Sequence, residues 1–140
     1  MPVGTRNEAI KGCGTHHIAV QTRDWDKSMA FYQDVLGMKL VAEFGSPERK
    51  IVLLDAGDGS HIELFQPTDA TPSEGDDAVN DPVIHFALAT TDARAATERV
   101  REAGCKVTVE PRDVDLGALK VTISFFIGPS GEVIEFFETH

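Results

Sequence analysis

Hydrophobic and polar positions follow the same order of patterns twice along the chain. In the first half, alternation over Thr15–Gln21 predicts a strand, and apolar residues at helical spacing follow it. Asp24 is a suitable N-cap for this helix, and Gly37 supplies its C-terminal stop. Three strands should follow, bounded by glycine-containing turns, at about 39–44, 50–55 and 60–66. The first half therefore predicts a βαβββ unit.

The second half repeats this plan after a polar stretch. Residues 68–81 lack periodicity and predict a linker between two modules, 14–67 and 82–139, within one domain that spans 1–140. In the second module the helix is predicted from Asp92 to Gly104, and the strands at about 83–90, 106–110, 119–127 and 132–138.

Repeats of this length indicate that one unit cannot bury its apolar face without the other. A four-stranded sheet with one helix leaves one face open, so the two open faces are expected to meet. The predicted fold is α+β, with two βαβββ modules forming a cupped, partly closed barrel around a cleft and the helices outside. The longer connection 111–118 is a candidate lid or substrate-contact segment beside that cleft, and the alternative is a plain connection.

Four polar residues occupy equivalent positions in the two modules. His17 and His85 lie in the two first strands, whereas Glu63 and Glu135 lie in the two last strands. Because strand side chains alternate, all four are expected on the face opposite the apolar residues. If the modules pack about a pseudo-two-fold axis, two imidazoles and two carboxylates converge on one point. The alternative is a solvated sheet surface whose polar residues bind nothing.

For the residues near these four in sequence, we predict different roles. Ala19, Ala87 and Ala89 share their strand faces and would leave room for a ligand. His16 has the opposite parity in its strand, so we expect a partly buried or edge histidine. His61 has the right parity, but its counterpart is a valine, so we expect it to line the pocket or to support a ligand from behind.

Two imidazoles and two carboxylates suit a divalent transition metal, Zn²⁺, Ni²⁺, Co²⁺, Mn²⁺ or Fe²⁺, and suit Ca²⁺ or Cu⁺ poorly. The two carboxylates would cancel the charge of the ion. An octahedral ion with four protein ligands keeps two positions for water or for a bidentate substrate, which is typical of a catalytic centre. The pattern therefore predicts a catalytic metal centre.

Charge and composition exclude several classes of partner. The 140 residues include 23 acidic and 13 basic side chains, and the net charge of −10 argues against nucleic acid or an anionic membrane. Cys13 and Cys105 are too few for a disulfide scaffold. The first residues lack the apolar core of a signal peptide and no run reaches membrane-spanning length, so the cytoplasm is the predicted location.

Several motifs point to one superfamily: HHIAVQTRDWDKSMAFYQDVLGMKLV near the start, HIELFQP, IHFAL, and FFIGPSGEVIEFFE at the end. Together with the βαβββ repeat they resemble the vicinal oxygen chelate superfamily over about residues 14–138. That superfamily includes glyoxalase I, methylmalonyl-CoA epimerase, extradiol dioxygenases, and the fosfomycin and bleomycin resistance proteins. Within it the chain is most similar to bacterial glyoxalase I, the lactoylglutathione lyases.

The resemblance implies a metal-dependent lyase or isomerase. The metal ligands of glyoxalase I fall on His17, Glu63, His85 and Glu135, and a histidine at the first position resembles the type activated by Ni²⁺ or Co²⁺. The implied reaction is proton transfer through a metal-bound enediolate on a small 2-oxoaldehyde–thiol adduct. Glu135 is the first candidate for the base and Glu63 the second. Relatives often form dimers, so a homodimer is expected, with the site completed within one chain or between two.

The residues for glutathione match less well than those for the metal. Glyoxalases I often place an arginine for a glutathione carboxylate where this chain has Gln21. They typically have an asparagine after the carboxylate ligand of the first module, where this chain continues LFQP. Use of glutathione is therefore left open. Substrate contacts are predicted for Gln21, Phe65, Ser124 and Phe126.

Three other activities of the superfamily are alternatives. An Fe²⁺ extradiol-type dioxygenase would use His17, His85 and Glu135, and the extra carboxylate of Glu63 counts against it. A non-catalytic small-molecule-binding protein of the bleomycin resistance kind needs no metal ligands, so the intact set counts against it. Methylmalonyl-CoA epimerase shares the proton chemistry, but its second module usually opens with a GxHHIAF-like run, which DPVIHFAL matches less well.

Overall fold

The computed structural model describes residues 6–69, 82–128 and 132–140. The strands in these ranges are β1 (Gly14–Gln21), β2 (Lys39–Ser46), β3 (Arg49–Asp55), β4 (His61–Phe65), β5 (Val83–Ala89), β6 (Lys106–Asp115), β7 (Lys120–Ile127) and β8 (Val133–Thr139). The helices are α1 (Trp25–Ala30), which continues into a π-helical turn (Phe31–Val35), and α2 (Ala93–Glu102). Neither helix of the described residues is long and apolar enough to cross a membrane. Residues 70–81 of the predicted linker lie outside the described residues.

All eight strands form one curled sheet in the order β2-β3-β4-β1-β5-β8-β7-β6. In each module the first strand lies parallel to the last, β1 beside β4 and β5 beside β8. The modules join through the antiparallel pair β1 and β5 at the centre of the sheet. The predicted α+β fold is confirmed, and the four strands that carry the predicted ligands are the four central ones.

Both helices begin where the sequence predicts. The carboxylate of Asp24 accepts from the backbone N–H of Lys27 at 3.1 Å, and that of Asp92 accepts from the N–H of Ala95 at 2.9 Å. These caps satisfy amides that the first helical turn leaves without a partner. After α2 the chain turns at Gly104 with φ 95°, a conformation that favours glycine.

Two apolar clusters join the helices to one face of the sheet. The cluster beneath α2 contains Ala93, Ala96, Phe126, Ile134 and Phe136. The cluster beneath α1 contains Val52, Leu54 and Leu64, against which Trp25, Met29 and Tyr32 pack. By contrast, Ile18 and Ile84, which alternate with the predicted histidine ligands along β1 and β5, are each 38% exposed. They lie on the central strands, and α2 packs over β6, β7 and β8 instead.

The segment 111–118 is mostly strand, so the prediction of a lid is wrong, whereas a substrate contact of this segment stays a prediction. β6 continues through Pro111 as far as Asp115, and only the residues after it form a turn. Because β6 is an edge of the sheet, a proline without an N–H can be accommodated there. The register between β6 and β7 is irregular between Val109 and Arg112, at the same place.

A buried hydroxyl pair connects α2 to β7. Oγ1 of Thr97 donates to the carbonyl of Ala93 at 2.6 Å, and the hydroxyl of Ser124 lies 2.8 Å from that same Oγ1. Both side chains are fully buried. Since Thr97 already donates to the helix, the hydroxyl of Ser124 is the donor in the second bond.

Thr97→Val should lower the free energy of unfolding by about 1–3 kcal/mol, because the buried hydroxyl of Ser124 then loses its partner. Ser124→Ala should cost less, since Thr97 keeps its bond to Ala93. Urea unfolding measures both, with the exposed Thr108→Val as matched control. Equal stability of the Thr97→Val and Thr108→Val proteins would contradict the assignment.

Candidate metal centre

Each central strand carries one of the predicted ligands: His17 on β1, Glu63 on β4, His85 on β5 and Glu135 on β8. Ala19 is the direct cross-strand neighbour of both Glu63 and His85. Ala87 is the direct neighbour of both His17 and Glu135. Both alanines are fully buried. Because only a methyl group stands opposite each longer side chain, all four can lean toward a common point.

The four side chains meet within a single chain. Nε2 of His17 lies 3.3 Å from Nε2 of His85. Oε2 of Glu135 lies 2.9 Å from the first of these nitrogens and 3.0 Å from the second. Oε1 of Glu63 lies 3.6 Å from each of them. Atoms bound to one ion at about 2.1 Å are about 3.0–3.5 Å from their neighbours, so the donors have the spacing of a metal centre.

The hydrogen bonding of the cluster also fits a cation. Oε2 of Glu135 is buried and has no hydrogen-bond partner, although two imidazole nitrogens lie within 3.0 Å of it. His17, Glu63 and His85 form a group that could hold a metal ion, with donor atoms all within 4.8 Å of one another. A buried carboxylate oxygen beside two such nitrogens is satisfied by a shared cation.

Burial and mutual charge shift the acidity of these groups. Burial raises the pKa of Glu63, and the charge of Glu135 adds to the rise, against the opposing effect of the imidazoles. Burial also opposes ionisation of Glu135, but His17 and His85 outweigh it and lower the pKa of that carboxyl. Burial disfavours protonated His17, yet the two carboxylates more than reverse this and raise its pKa. The two carboxylates therefore differ in how readily they take up a proton.

His16 is buried next to these residues, more deeply than the partly buried or edge position that the sequence predicts for it. It is 1% exposed, and its Nδ1 lies 2.8 Å from Nδ1 of His17. The register of β1 against β5 shifts between Thr15 and His17, and such a bulge breaks the alternation behind the prediction. The ring of His16 stacks on His61 with centroids 4.7 Å apart and packs against Phe137 at 4.0 Å. Burial, with the nearby His17 and His61, lowers the pKa of His16 to about 2.

His61 lies beside His16 and supports the strand that carries the first candidate ligand. Its Nδ1 donates to the backbone carbonyl of His16 at 3.2 Å. It is also the direct cross-strand neighbour of His17 in the parallel pair of β1 and β4.

A cavity of about 260 Å³ opens onto the cluster, with Glu63, His85 and Glu135 in its lining. Its remaining wall is apolar except for Arg112. The aromatic side chains in this wall come from both modules and are Phe44, Phe65, Phe125 and Phe137. Concave sites of this kind bind the apolar body of a ligand and orient it through a few polar groups. Phe65, predicted to contact the substrate, thus lies where such a contact requires it.

Gln21 is held by other groups of the protein. Its Nε2 donates to the backbone carbonyls of Thr22, Phe65 and Gln66. Its Oε1 accepts from the guanidinium of Arg49 at 2.5 Å. A substrate contact of Gln21 stays a prediction and would compete with these bonds.

The structure does not bring Ser124 and Phe126, for which substrate contacts are predicted, to the lining of the cavity. Ser124 is bonded beneath α2, and Phe126 belongs to the apolar cluster under the same helix. Phe125, between them, stands directly opposite Glu135 and lines the cavity. The alternation of β7 would have selected Phe125 once its register against β8 was known. The sequence does not single out Arg112, because its segment has the pattern of a connection and not of a strand.

A family model and the sequences of known proteins indicate the same family. A sequence model of the Glyoxalase/Bleomycin resistance protein/Dioxygenase superfamily matches residues 14–136. The lactoylglutathione lyase of Haemophilus influenzae is 35% identical over 127 residues, which cover 87% of this chain and 90% of that protein. The lactoylglutathione lyase of Salmonella typhimurium is 36% identical over 124 residues, which cover 87% of this chain and 90% of that protein.

Solved structures share the fold. Methylmalonyl-CoA epimerase from Mycobacterium tuberculosis has a TM-score of 0.74 at 24% identity, over 98% of this chain and 93% of that chain. A hypothetical protein from Bacillus halodurans has a TM-score of 0.71 at 24% identity, over 93% of this chain and 96% of that chain. Because the family match extends through both modules, the chain belongs to the glyoxalase/bleomycin resistance protein/dioxygenase superfamily.

Proposed function

We propose that the chain is a metal-dependent lyase or isomerase of the glyoxalase I type. It would move a proton between adjacent carbons of a small 2-oxoaldehyde–thiol adduct, through an enediolate. The observation that carries this proposal is the convergence of two imidazoles and two carboxylates at the end of a mostly apolar cavity. Relatives named lactoylglutathione lyase, at 35% and 36% identity, support the same reaction class.

We propose that His17, Glu63, His85 and Glu135 hold one divalent ion. Ni²⁺ and Co²⁺ are favoured, and Zn²⁺, Mn²⁺ and Fe²⁺ are the other candidates for a mixed imidazole and carboxylate set. When bound, such an ion supplies positive charge beside two adjacent oxygens of the substrate. The two carboxylates match the charge of the ion, so the charge of the centre is balanced before the substrate arrives.

Glu135 is the proposed base, and Glu63 is the second candidate. Oε2 of Glu135 is buried with both imidazoles within 3.0 Å. These imidazoles lower the pKa of the free carboxyl, but their nitrogens would bind the proposed ion and would then not donate to that carboxyl. Phe125, the cross-strand neighbour of Glu135, lies in the cavity wall and would hold the apolar part of a substrate beside it. General base catalysis by a positioned carboxylate typically contributes about 10²- to 10⁴-fold.

The apolar wall has two consequences for the substrate. It excludes water from the reacting carbons, and it favours a compound with a short apolar body over a strongly hydrated one. Use of glutathione is not part of the proposal, since Gln21 is already bonded to Arg49 and to backbone carbonyls. A thiol conjugate as substrate, a homodimer and a cytoplasmic location stay predictions.

A second candidate is a small-molecule-binding protein of the same superfamily. The aromatic wall of Phe44, Phe65 and Phe125 favours it, because such a wall suits a drug-like ligand. The buried donor set counts against it, since sequestering a ligand requires no such set. Purified protein that binds the ligand but no metal would favour this candidate.

An Fe²⁺ dioxygenase is disfavoured by the position of Glu63. Two histidines and one carboxylate suffice for such an iron centre. The carboxylate of Glu63 lies 3.6 Å from both imidazoles and would take a coordination position that O₂ or the substrate requires. Oxygen uptake with a catechol would favour the dioxygenase.

Addition of Ni²⁺ or Co²⁺ should raise the free energy of unfolding, by about 2.7 kcal/mol at a free-metal concentration one hundred times Kd. His85→Ala should lose this stabilisation, because it removes one of the proposed donors. His140→Ala is the matched control, since it also removes a histidine, but an exposed one that follows β8. Thermal and urea unfolding with and without metal measure the effect. Stabilisation that persists in His85→Ala would place the ion elsewhere.

Glu135→Gln should reduce turnover of a methylglyoxal–thiol adduct by at least about 100-fold. It should equally slow the exchange of the substrate proton with D₂O, followed by NMR, after Ni²⁺, Co²⁺ or Zn²⁺ is added back. Glu63→Gln should retain more exchange, and the exposed Glu98→Gln should behave as wild type. Near-normal exchange by Glu135→Gln would make the base assignment wrong. Wild-type protein that turns over no such adduct would overturn the proposed lyase.

A further inference from the structure

Arg112 is an unpaired cation in the lining of the cavity. It lies on β6 directly opposite Ile123, and both residues line the cavity. Within residues 6–69, 82–128 and 132–140, its guanidinium makes no hydrogen bond or ion pair. Arg94 and Arg101 of the same module pair with an aspartate and with two glutamates. Within the same described ranges Arg99 also lacks an ion pair, but it lies on α2 outside this cavity, so the distinguishing feature of Arg112 is its place in the cavity lining.

The surroundings of Arg112 point to an anionic ligand. Its neighbours on the same strand face, Val114 and Leu116, are apolar, and so is the wall of β7 beside them. The charged groups of the opposite sign in the lining are Glu63 and Glu135, which the proposed ion neutralises. A guanidinium binds a carboxylate through two parallel hydrogen bonds, and Arg112, although exposed, presents its guanidinium at the edge of this apolar wall.

The position of Arg112 also sets the length of a ligand that could reach both it and the candidate ion. Glu135 lies on β8 opposite Phe125, and Arg112 lies on β6 opposite Ile123. The two backbones are therefore two strand spacings across and two residues along the sheet from each other, or about 12 Å apart. A ligand that reaches both the candidate ion and Arg112 must bridge this distance past Phe125 and Ile123.

We infer that the site takes a compound with two adjacent oxygens at one end, a short apolar body, and one anionic group that Arg112 binds at the other end. This inference rests on the proposed function for the chelating end. Further charged groups on the ligand would face apolar side chains, which is unfavourable when they find no partner.

Two matched hydroxamic acids test this inference by binding alone. Benzohydroxamic acid presents two chelating oxygens and a neutral ring, and its 4-carboxy derivative adds one anionic group at the far end. Calorimetry on the Ni²⁺-loaded protein should give at least about tenfold tighter binding of the carboxylated compound at low salt. Arg112→Met should bring this ratio close to one and leave the neutral compound within about threefold. Arg99→Met, on the exposed face of α2, is the matched control and should keep the ratio.

A wild-type protein without this preference, or an Arg112→Met protein that keeps it, would overturn the role of Arg112. Wild-type protein that carries Ni²⁺ but binds neither compound would overturn the chelating end as well, and with it the proposed function. The hydroxamate experiment measures binding without turnover. A protein that fails the lyase assay but prefers the carboxylated compound would therefore overturn the proposed reaction and leave the role of Arg112 intact.

A different observation carries a second inference, on His16. Nε2 of His17 faces Glu135 and His85, so the nitrogen left on the other side of that ring is Nδ1. Nδ1 of His16 lies 2.8 Å from it, and both rings are buried. When Nε2 of His17 coordinates an ion, its Nδ1 carries the proton and must donate.

The geometry points to His16 as a positioning residue that accepts this hydrogen bond and so fixes the tautomer and the orientation of the His17 ring. His16 is itself held by its stacking on His61 and its packing against Phe137. Partners of this kind typically change metal affinity by about 10- to 100-fold when removed. This inference rests on the metal centre of the proposed function and does not depend on the substrate.

His16→Phe keeps an aromatic ring for the stack but removes the acceptor, and His16→Asn restores an acceptor oxygen close to the position of Nδ1. Competition with a chelator should show Zn²⁺ affinity lowered by about 10- to 100-fold in His16→Phe and largely regained in His16→Asn. His61→Phe changes the stack and removes the bond from His61 to the His16 carbonyl, but it keeps the bond between His16 and His17. It is the matched control for packing and strand support. NMR of ¹⁵N-labelled histidine in the Zn²⁺-loaded wild type should show a slowly exchanging proton on Nδ1 of His17.

Equal losses of affinity in His16→Phe and His61→Phe would show that packing alone matters and would overturn the inference. Failure of His16→Asn to regain affinity, in a protein that is folded by circular dichroism, would do the same. A wild type that binds no divalent metal would overturn both this inference and the metal centre.

Discussion

The buried carboxylates of Glu63 and Glu135 constrain the rest of the structure. Both lie on central strands of the sheet, within 3.6 Å of the imidazoles of His17 and His85. Removing two negative charges from water costs several kcal/mol for each, unless opposite charge lies next to them. His17, whose pKa the carboxylates raise, can supply one positive charge by taking up a proton, whereas a divalent cation supplies two. Stability and the proposed chemistry therefore depend on the same four side chains.

The sheet satisfies this constraint through its register. Ala19 and Ala87 stand opposite the longer side chains on both sides, and a β-branched residue at either place would fill the space into which the imidazoles and carboxylates lean. The modules are joined edge to edge at β1 and β5, so the first and last strands of both become neighbours. Each module supplies one imidazole and one carboxylate, and neither could build the cluster alone.

Strand alternation encodes the face that a side chain joins, but neither the position of a bulge nor the identity of the neighbouring strand. The four predicted ligands were identifiable because each recurs at the same place in a duplicated unit, and the structure brings them together. His16 lies deeper than the sequence predicts because a bulge follows Thr15 and shifts the alternation. Ser124 and Phe126 were chosen in place of Phe125 because the register of β7 against β8 is a property of the folded sheet. The segment 111–118 read as a loop because proline is rare in strands, except at edges.

The two modules place the same residue types at the centre of the sheet, but different residue types on its two outer strand pairs. On one side Phe44 stands opposite Ile51, and on the other Arg112 stands opposite Ile123, with all four in the cavity wall. A pseudo-symmetric centre alone cannot distinguish the two reacting carbons, since a carboxylate lies on each side of it. Asymmetry of the wall must therefore orient the substrate. A charged end bound by Arg112 lays the substrate along β7 and β8, next to Glu135, which is why the cation and the proposed base lie in the same module.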